Sequence, residues 1–213
     1  MNIQPIVEGH GEVPAVPVLL RRLRDLAQAH LLDVNPPIRR HRADFFDKVK
    51  VRKAVRLALK QEDCDAVLLL FDGDGEEDCP LEQAPVILRW AEEEAAGKPC
   101  AVVMAYREYE AWFLASIESL RGRRGIRQDA ESHPNPEEPR GAKAHLEARM
   151  AAGRTYHETA DQPALSALFE MQRTYRKCRS FRHLVTAFGQ LAQALGCLAT
   201  AWPPPEWEVK DGE

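Results

Sequence analysis

The run DAVLLLF at 65–71 limits the fold more than any other stretch of the chain. A continuous apolar strand has no polar face to offer water, which is the condition of a parallel sheet covered by helices on both sides. IQPIV at 3–7 and CAVVMA from Cys100 are shorter runs of the same kind. Around them lie longer stretches with apolar residues at helical spacing: VPAVPVLLRRLRDLAQAHLL from Val13, RKAVRLALKQ, LEQAPVILRWAEEEAAG and YEAWFLASIESL. Pro14 and Pro17 fall in the first turns of the first of these, where a missing N–H costs least. Strands alternating with helices imply right-handed crossovers, so the expected fold class is α/β, a mostly parallel, Rossmann-like sheet flanked by helices.

After about Leu120 the character changes. RGRRGIRQDAESHPNPEEPRG is polar and rich in Pro and Gly, and helical patterns return at 142–152, 163–168 and 181–195 before the tail WPPPEWEVKDGE. The expected organisation is an α/β core at 1–120, a polar loop at 121–141, a helical extension at 142–200 packed on the core, and a tail at 201–213 with little structure of its own. A formal net charge of -4 lacks the global basic signature of a protein that coats nucleic acid by bulk electrostatics. It does not exclude an enzyme that grips phosphate through metal ions. Neither a charged-then-apolar leader nor a membrane-length apolar stretch is present, so a cytoplasmic location with no membrane partner is expected. The five cysteines are scattered without a CxxC pair and read as reduced packing thiols, with neither a disulfide framework nor a zinc site expected.

Ligands of parallel α/β sheets bind beyond the carboxyl ends of the strands. There the chain reads Glu8-Gly9-His10-Gly11-Glu12 after the first run, Asp72-Gly73-Asp74 and a further acidic stretch after the second, and Tyr106-Arg107-Glu108-Tyr109-Glu110 after the third. If the strands are neighbours, Glu8, Asp72, Asp74 and Glu108 converge on one edge, a repulsive arrangement that needs a positive partner. Oxygen donors without sulfur suit Mg²⁺ or Mn²⁺. Each piece alone has a plainer reading: DGDGEED as a solvated acidic turn, Glu8 as an acid near a helix N-terminus, and Gly9 and Gly11 as turn formers. GHG is not a phosphate-binding loop, because no GK[ST] follows.

Taken together, Glu8-Gly9-x-x-Glu12 after one strand and Asp72-x-Asp74 after a later one resemble the Toprim family, the metal-binding catalytic domain of topoisomerases, DnaG-type primases and OLD-family nucleases. The chain is also similar to a family of unknown function, DUF4276, whose members look like stand-alone Toprim proteins. REYEAWFLA, PNPEEPRGAKAHLEARM and CRSFRHL carry that second likeness, and it spans roughly residues 3–195. The resemblance implies a nuclease in which Glu8, Glu12, Asp72, Asp74 and Glu108 hold one or two divalent ions, with Glu8 a ligand or the general base and acid. Glu108 is favoured over Glu110 as the nearer to the strand end. It further implies nucleic acid, DNA above all, as substrate, and an ABC- or SMC-like ATPase as partner in a defence or repair module. The oligomeric state is left open, a homo-oligomer included.

Four further readings are weaker. Lys143 is a candidate to neutralise charge developing on a phosphate, against the plainer reading of a surface lysine. Gly9 and His10 are candidate substrate contacts in the loop, although a loop histidine is more often just exposed. Arg176, Lys177 and Arg179 belong to the densest basic run, RTYRKCRSFRH, which is either a backbone track for nucleic acid or a solvated helix face. No tyrosine stands in a topoisomerase-like context, so hydrolysis is expected over strand passage; a non-cleaving Toprim-like interaction module is the alternative. A phosphatase with Asp72 as nucleophile is disfavoured because Gly75 and Glu76 follow where Thr or Val is usual.

Overall fold

The computed structural model describes residues 1–75 and 79–207. The acids noted at 76–78 lie outside that set, as does the end of the tail. Five parallel strands form one sheet: β1 (Asn2–Val7), β2 (Asp33–Val34), β3 (Ile38–Arg39), β4 (Cys64–Gly73) and β5 (Cys100–Tyr106). β4 lies between β1 and β5, with Pro5 opposite Leu68 and Leu69 opposite Val102, while β2 and β3 pair in turn with the start and end of β1. The α/β class expected from the apolar runs is therefore present. β2 and β3, two residues each, are too short for any periodicity to reveal.

The gap between β2 and β3 explains how a proline is tolerated in an inner strand. Ile3 and Val7 carbonyls accept from the Asn35 and Arg40 amides, so the alternate residue Pro5 faces the same side. There its missing N–H meets no strand, and the Gln4 side chain bridges the Pro5 and Pro36 carbonyls instead.

Alternation along β4 sends Leu68 and Leu70 into one core and Val67, Leu69 and Phe71 into the other. The first core is covered by α1 (Glu12–Leu26), α5 (Ala111–Ala115), α7 (Glu158–Ser166) and α9 (Arg179–Ala194); the second by α2 (Arg42–Phe45), α3 (Lys48–Ala58) and α4 (Pro80–Glu92). Two shorter helices, α6 (Ala142–Glu147) and α8 (Met171–Lys177), add Ala142, Leu146 and Met171 to the first core. In α1, Pro17 lies beyond the first turn and takes one hydrogen bond out of the helix. The segment 121–141 contains no helix or strand, but Ile126 bridges antiparallel to Met150 and ties it to the extension.

The tail is better anchored than its composition suggests. Trp202 Nε1 donates to the Val185 carbonyl at 2.7 Å, and Trp207 is buried. Gly189 of α9 makes room for this, since a Cβ there would lie 2.1 Å from Trp202 Cδ1. All five cysteines are free thiols. Among the described residues no helix is long and apolar enough to cross a membrane.

Candidate functional site

The carboxyl ends of β1, β4 and β5 meet at one edge of the sheet, and their acids meet with them. Glu12 opens α1 and turns its side chain back over the loop, Oε2 accepting from the Glu8 and Gly9 amides at 2.9 Å each. Asp72 follows Leu70 by two residues on β4 and points the same way, toward α1 and α5. Its Oδ1 accepts from the Tyr109 amide at 2.9 Å. Asp74 lies further out and forms an ion pair with Arg42 Nε at 3.1 Å.

The order of Glu108 and Glu110 differs from the expectation based on the strand end. Glu108 Oε2 accepts from the Lys143 amide at 3.1 Å, at the start of α6. Glu110 is fully buried, takes a hydrogen bond from the Tyr156 hydroxyl at 2.9 Å on Oε1, and has no partner for Oε2. It is Glu110 whose charge bears on Asp72, beside those of Glu12 and Glu8. The turn is set by Arg107, whose φ of 69° is unusual for a non-glycine residue. That conformation ends β5 and turns the following residues back toward β4.

This edge is electrostatically uncomfortable. Burial, and then the charge of Glu12, push the Glu8 carboxyl up to about 7, and Glu8 Oε2 is buried without a hydrogen-bond partner. Burial also raises Asp72 well above the carboxylate range and raises Glu12 despite its two amide bonds. Glu110 is pushed up to about 7 by burial, against the pull of Lys143 and Tyr156. Lys143 is a cation whose charge bears on Glu12, Asp72 and Glu110 alike. Burial works against its charge, but Glu110, the 2.9 Å pair with Glu158 and Asp72 outweigh that and hold it protonated.

Gly11, read from the sequence only as a turn former beside Gly9, is the more tightly packed of the two. A Cβ on Gly9 would touch only the Glu12 carboxylate, at 3.4 Å, whereas one on Gly11 would lie 2.0 Å from Gln162 Oε1 and 2.9 Å from Glu158 Cβ. Gly11 is thus the residue that lets α7 press onto the loop. His10 is exposed at the loop tip. Arg176, Lys177 and Arg179 are not at the acidic edge: Arg176 donates to the Glu206 carbonyl, Lys177 Nζ to Ser132 Oγ, and the Arg179 amide to Glu137. Lys177 and Arg179 line a separate cavity beside β5.

Arg42, Tyr156 and Glu158 join the site without having been singled out in the sequence. Arg42 could have been found by extending the strand-end rule to β3, had so short a strand been legible. Nothing local marks Tyr156 or Glu158, which arrive through the packing of α7.

Among the described residues, no three His, Cys, Asp or Glu side chains are gathered so as to hold a metal ion as they stand. Glu12, Asp72 and Asp74 each already commit an oxygen to an amide or to Arg42. The donor chemistry nonetheless fits a hard divalent cation: the donors are all oxygens, and Glu8 Oε2 is left buried and unpartnered.

No curated protein and no solved structure matches the chain. The family model described as a domain of unknown function, DUF4276, matches residues 7–189. That span covers most of the sequence, and the chain belongs to the DUF4276 family.

Proposed function

We propose that this protein is a Mg²⁺- or Mn²⁺-dependent, Toprim-like phosphodiester hydrolase acting on nucleic acid, with an ABC- or SMC-like ATPase as its partner. The observation that carries the reading is the group of desolvated acids at the strand ends, two of them with an unpartnered carboxylate oxygen. Such a group holds protons too tightly unless a cation takes their place.

Glu8, Asp72 and Asp74 would hold the ion, with Glu12 and Glu110 as further oxygen donors. When bound, a divalent cation supplies polarisation of the scissile phosphate and a water acidic enough to attack at neutral pH. The chain's own groups do the rest. Glu8 Oε2, buried with no hydrogen-bond partner, would serve as a ligand or, where Asp72 and Asp74 alone hold the ion, as the general base for the attacking water. Lys143 keeps its charge and would offset negative charge developing on the phosphate. Arg42 holds Asp74 at the outer rim.

Purified protein supplied with Mg²⁺ or Mn²⁺, alone and with its ATPase, should nick plasmid DNA. Glu8→Ala or Asp72→Ala should abolish nicking, and activity surviving both changes would sink the proposal. A second reading is a non-cleaving module that binds metal or nucleotide and signals to the partner. It is favoured by the commitment of Glu12, Asp72 and Asp74 to partners within the chain. Metal binding without cleavage in the presence of the ATPase would select it.

A further inference from the structure

The sheet ends at β5, and beside its outer edge lies a cavity of about 1140 Å³ between α4, the loop around Pro136 and the start of α9. Its wall is apolar and in part flat: Leu81, Leu88 and Met104 with the Tyr106 ring, and His183 at the rim. Leu81 is 65% exposed on this wall. Two guanidinium groups border the same space. Arg107 stacks on Tyr106 at 4.9 Å, and its Nε is buried with no hydrogen-bond partner. Arg179 is exposed, and neither arginine forms an ion pair among the described residues. The lining's two acids, Glu137, which accepts from the amides of Arg179 and Ser180, and Glu138, which accepts from Asn135, are outnumbered by Arg107, Lys177 and Arg179.

We infer that this cavity binds an unstacked nucleotide, its base against Leu88, Met104 and Tyr106 and its phosphate on Arg107 and Arg179. Aromatic and apolar walls accept any base face, and a guanidinium fork matches phosphate oxygens. The volume exceeds that of an ordinary small-molecule pocket and leaves room for more than one nucleotide unit. The Arg107 amide donates to the Gly73 carbonyl at 3.3 Å, between Asp72 and Asp74, so a strand leaving the cavity runs onto the acidic edge. In that respect the inference rests on the proposed hydrolase and adds to it a grip on single-stranded or frayed substrate.

The test is binding of a short fluorescein-labelled oligothymidylate to the full chain in a chelator, read by polarisation. Competitors are unlabelled oligomer, thymidine monophosphate and an abasic sugar-phosphate oligomer. Leu88→Trp, which fills the cavity, and Arg179→Glu, a surface change that spares the fold, should each weaken binding about tenfold, and the abasic oligomer should compete about tenfold worse. Competition by thymidine monophosphate at oligomer concentrations assigns the site to a free nucleotide; competition by oligomer alone assigns it to a strand. Wild-type binding in both variants, or an abasic oligomer that competes as well as the normal one, overturns the inference. Because binding is read with the metal chelated, a failure to cleave in a parallel assay supplied with Mg²⁺ or Mn²⁺ counts against the hydrolase only.

Discussion

Glu110 is fully buried with one oxygen unpartnered, whereas in water both carboxylate oxygens are hydrogen-bonded, so its ionised form carries a desolvation cost in the fold. Its pKa is about 7 in the fold and ordinary in the unfolded chain, as is that of Glu8. A raised carboxyl pKa means that the folded state binds the proton more tightly. The penalty is therefore absent below about pH 4.5, grows as pH rises toward 7, and is constant above it. Glu110→Gln should accordingly stabilise the metal-free protein at about pH 8 by on the order of 2 kcal/mol, roughly 5 °C in thermal melts, with the gain vanishing toward pH 4.5. Glu8→Gln should shift in the same direction. Equal melting temperatures for wild type and both variants across that range would show that these acids are comfortable without a cation. The glycines provide a second test at this scale. Gly11→Ala should cost about 1–3 kcal/mol in urea denaturation because its Cβ collides with Gln162 and Glu158, while Gly9→Ala should be close to neutral.

Helix α7 is the element that assembles the site, although its hydrophobic patterning is weak. It brings Glu158 to Lys143 and Gln162 to Gly11, and it is held by Asp161, which is fully buried. Asp161 Oδ1 takes Arg124 Nε at 2.8 Å and Arg154 at 2.7 Å, and Oδ2 takes the His157 amide at 2.9 Å. Arg124 and Arg154 are about a third exposed and can turn to water, but the His157 amide and the helix lose their buried acceptor, so Asp161→Ala should destabilise by roughly 1–3 kcal/mol, measured by denaturant unfolding. The sequence made the strands legible, since two buried faces leave an unbroken apolar run, and with them Glu8, Glu12, Asp72 and Asp74 at the strand ends. What it concealed depends on packing. A two-residue strand has no period, so Arg42 went unnoticed. The choice between Glu108 and Glu110 turned on a positive φ at Arg107 that spacing does not encode. Arg176, Lys177 and Arg179 read as one basic run, yet their contacts diverge.

At the scale of the whole molecule, a chain of net charge -4 concentrates buried acid at one sheet edge and leaves two arginines open beside the neighbouring cavity. A divalent cation at the edge would turn the local charge toward the sign that phosphate needs, and binding it should release protons from acids titrating near 7. That release distinguishes these acids from ordinary surface carboxylates, which are already ionised at neutral pH. The most direct measurement is a calorimetric titration of the full chain with Mn²⁺ near pH 7, repeated in buffers of different ionisation enthalpy to count protons. The account predicts saturable binding with net proton release, abolished by Asp72→Asn and weakened by Glu8→Gln. Heats indistinguishable from buffer, or the same isotherm in both variants, would contradict it.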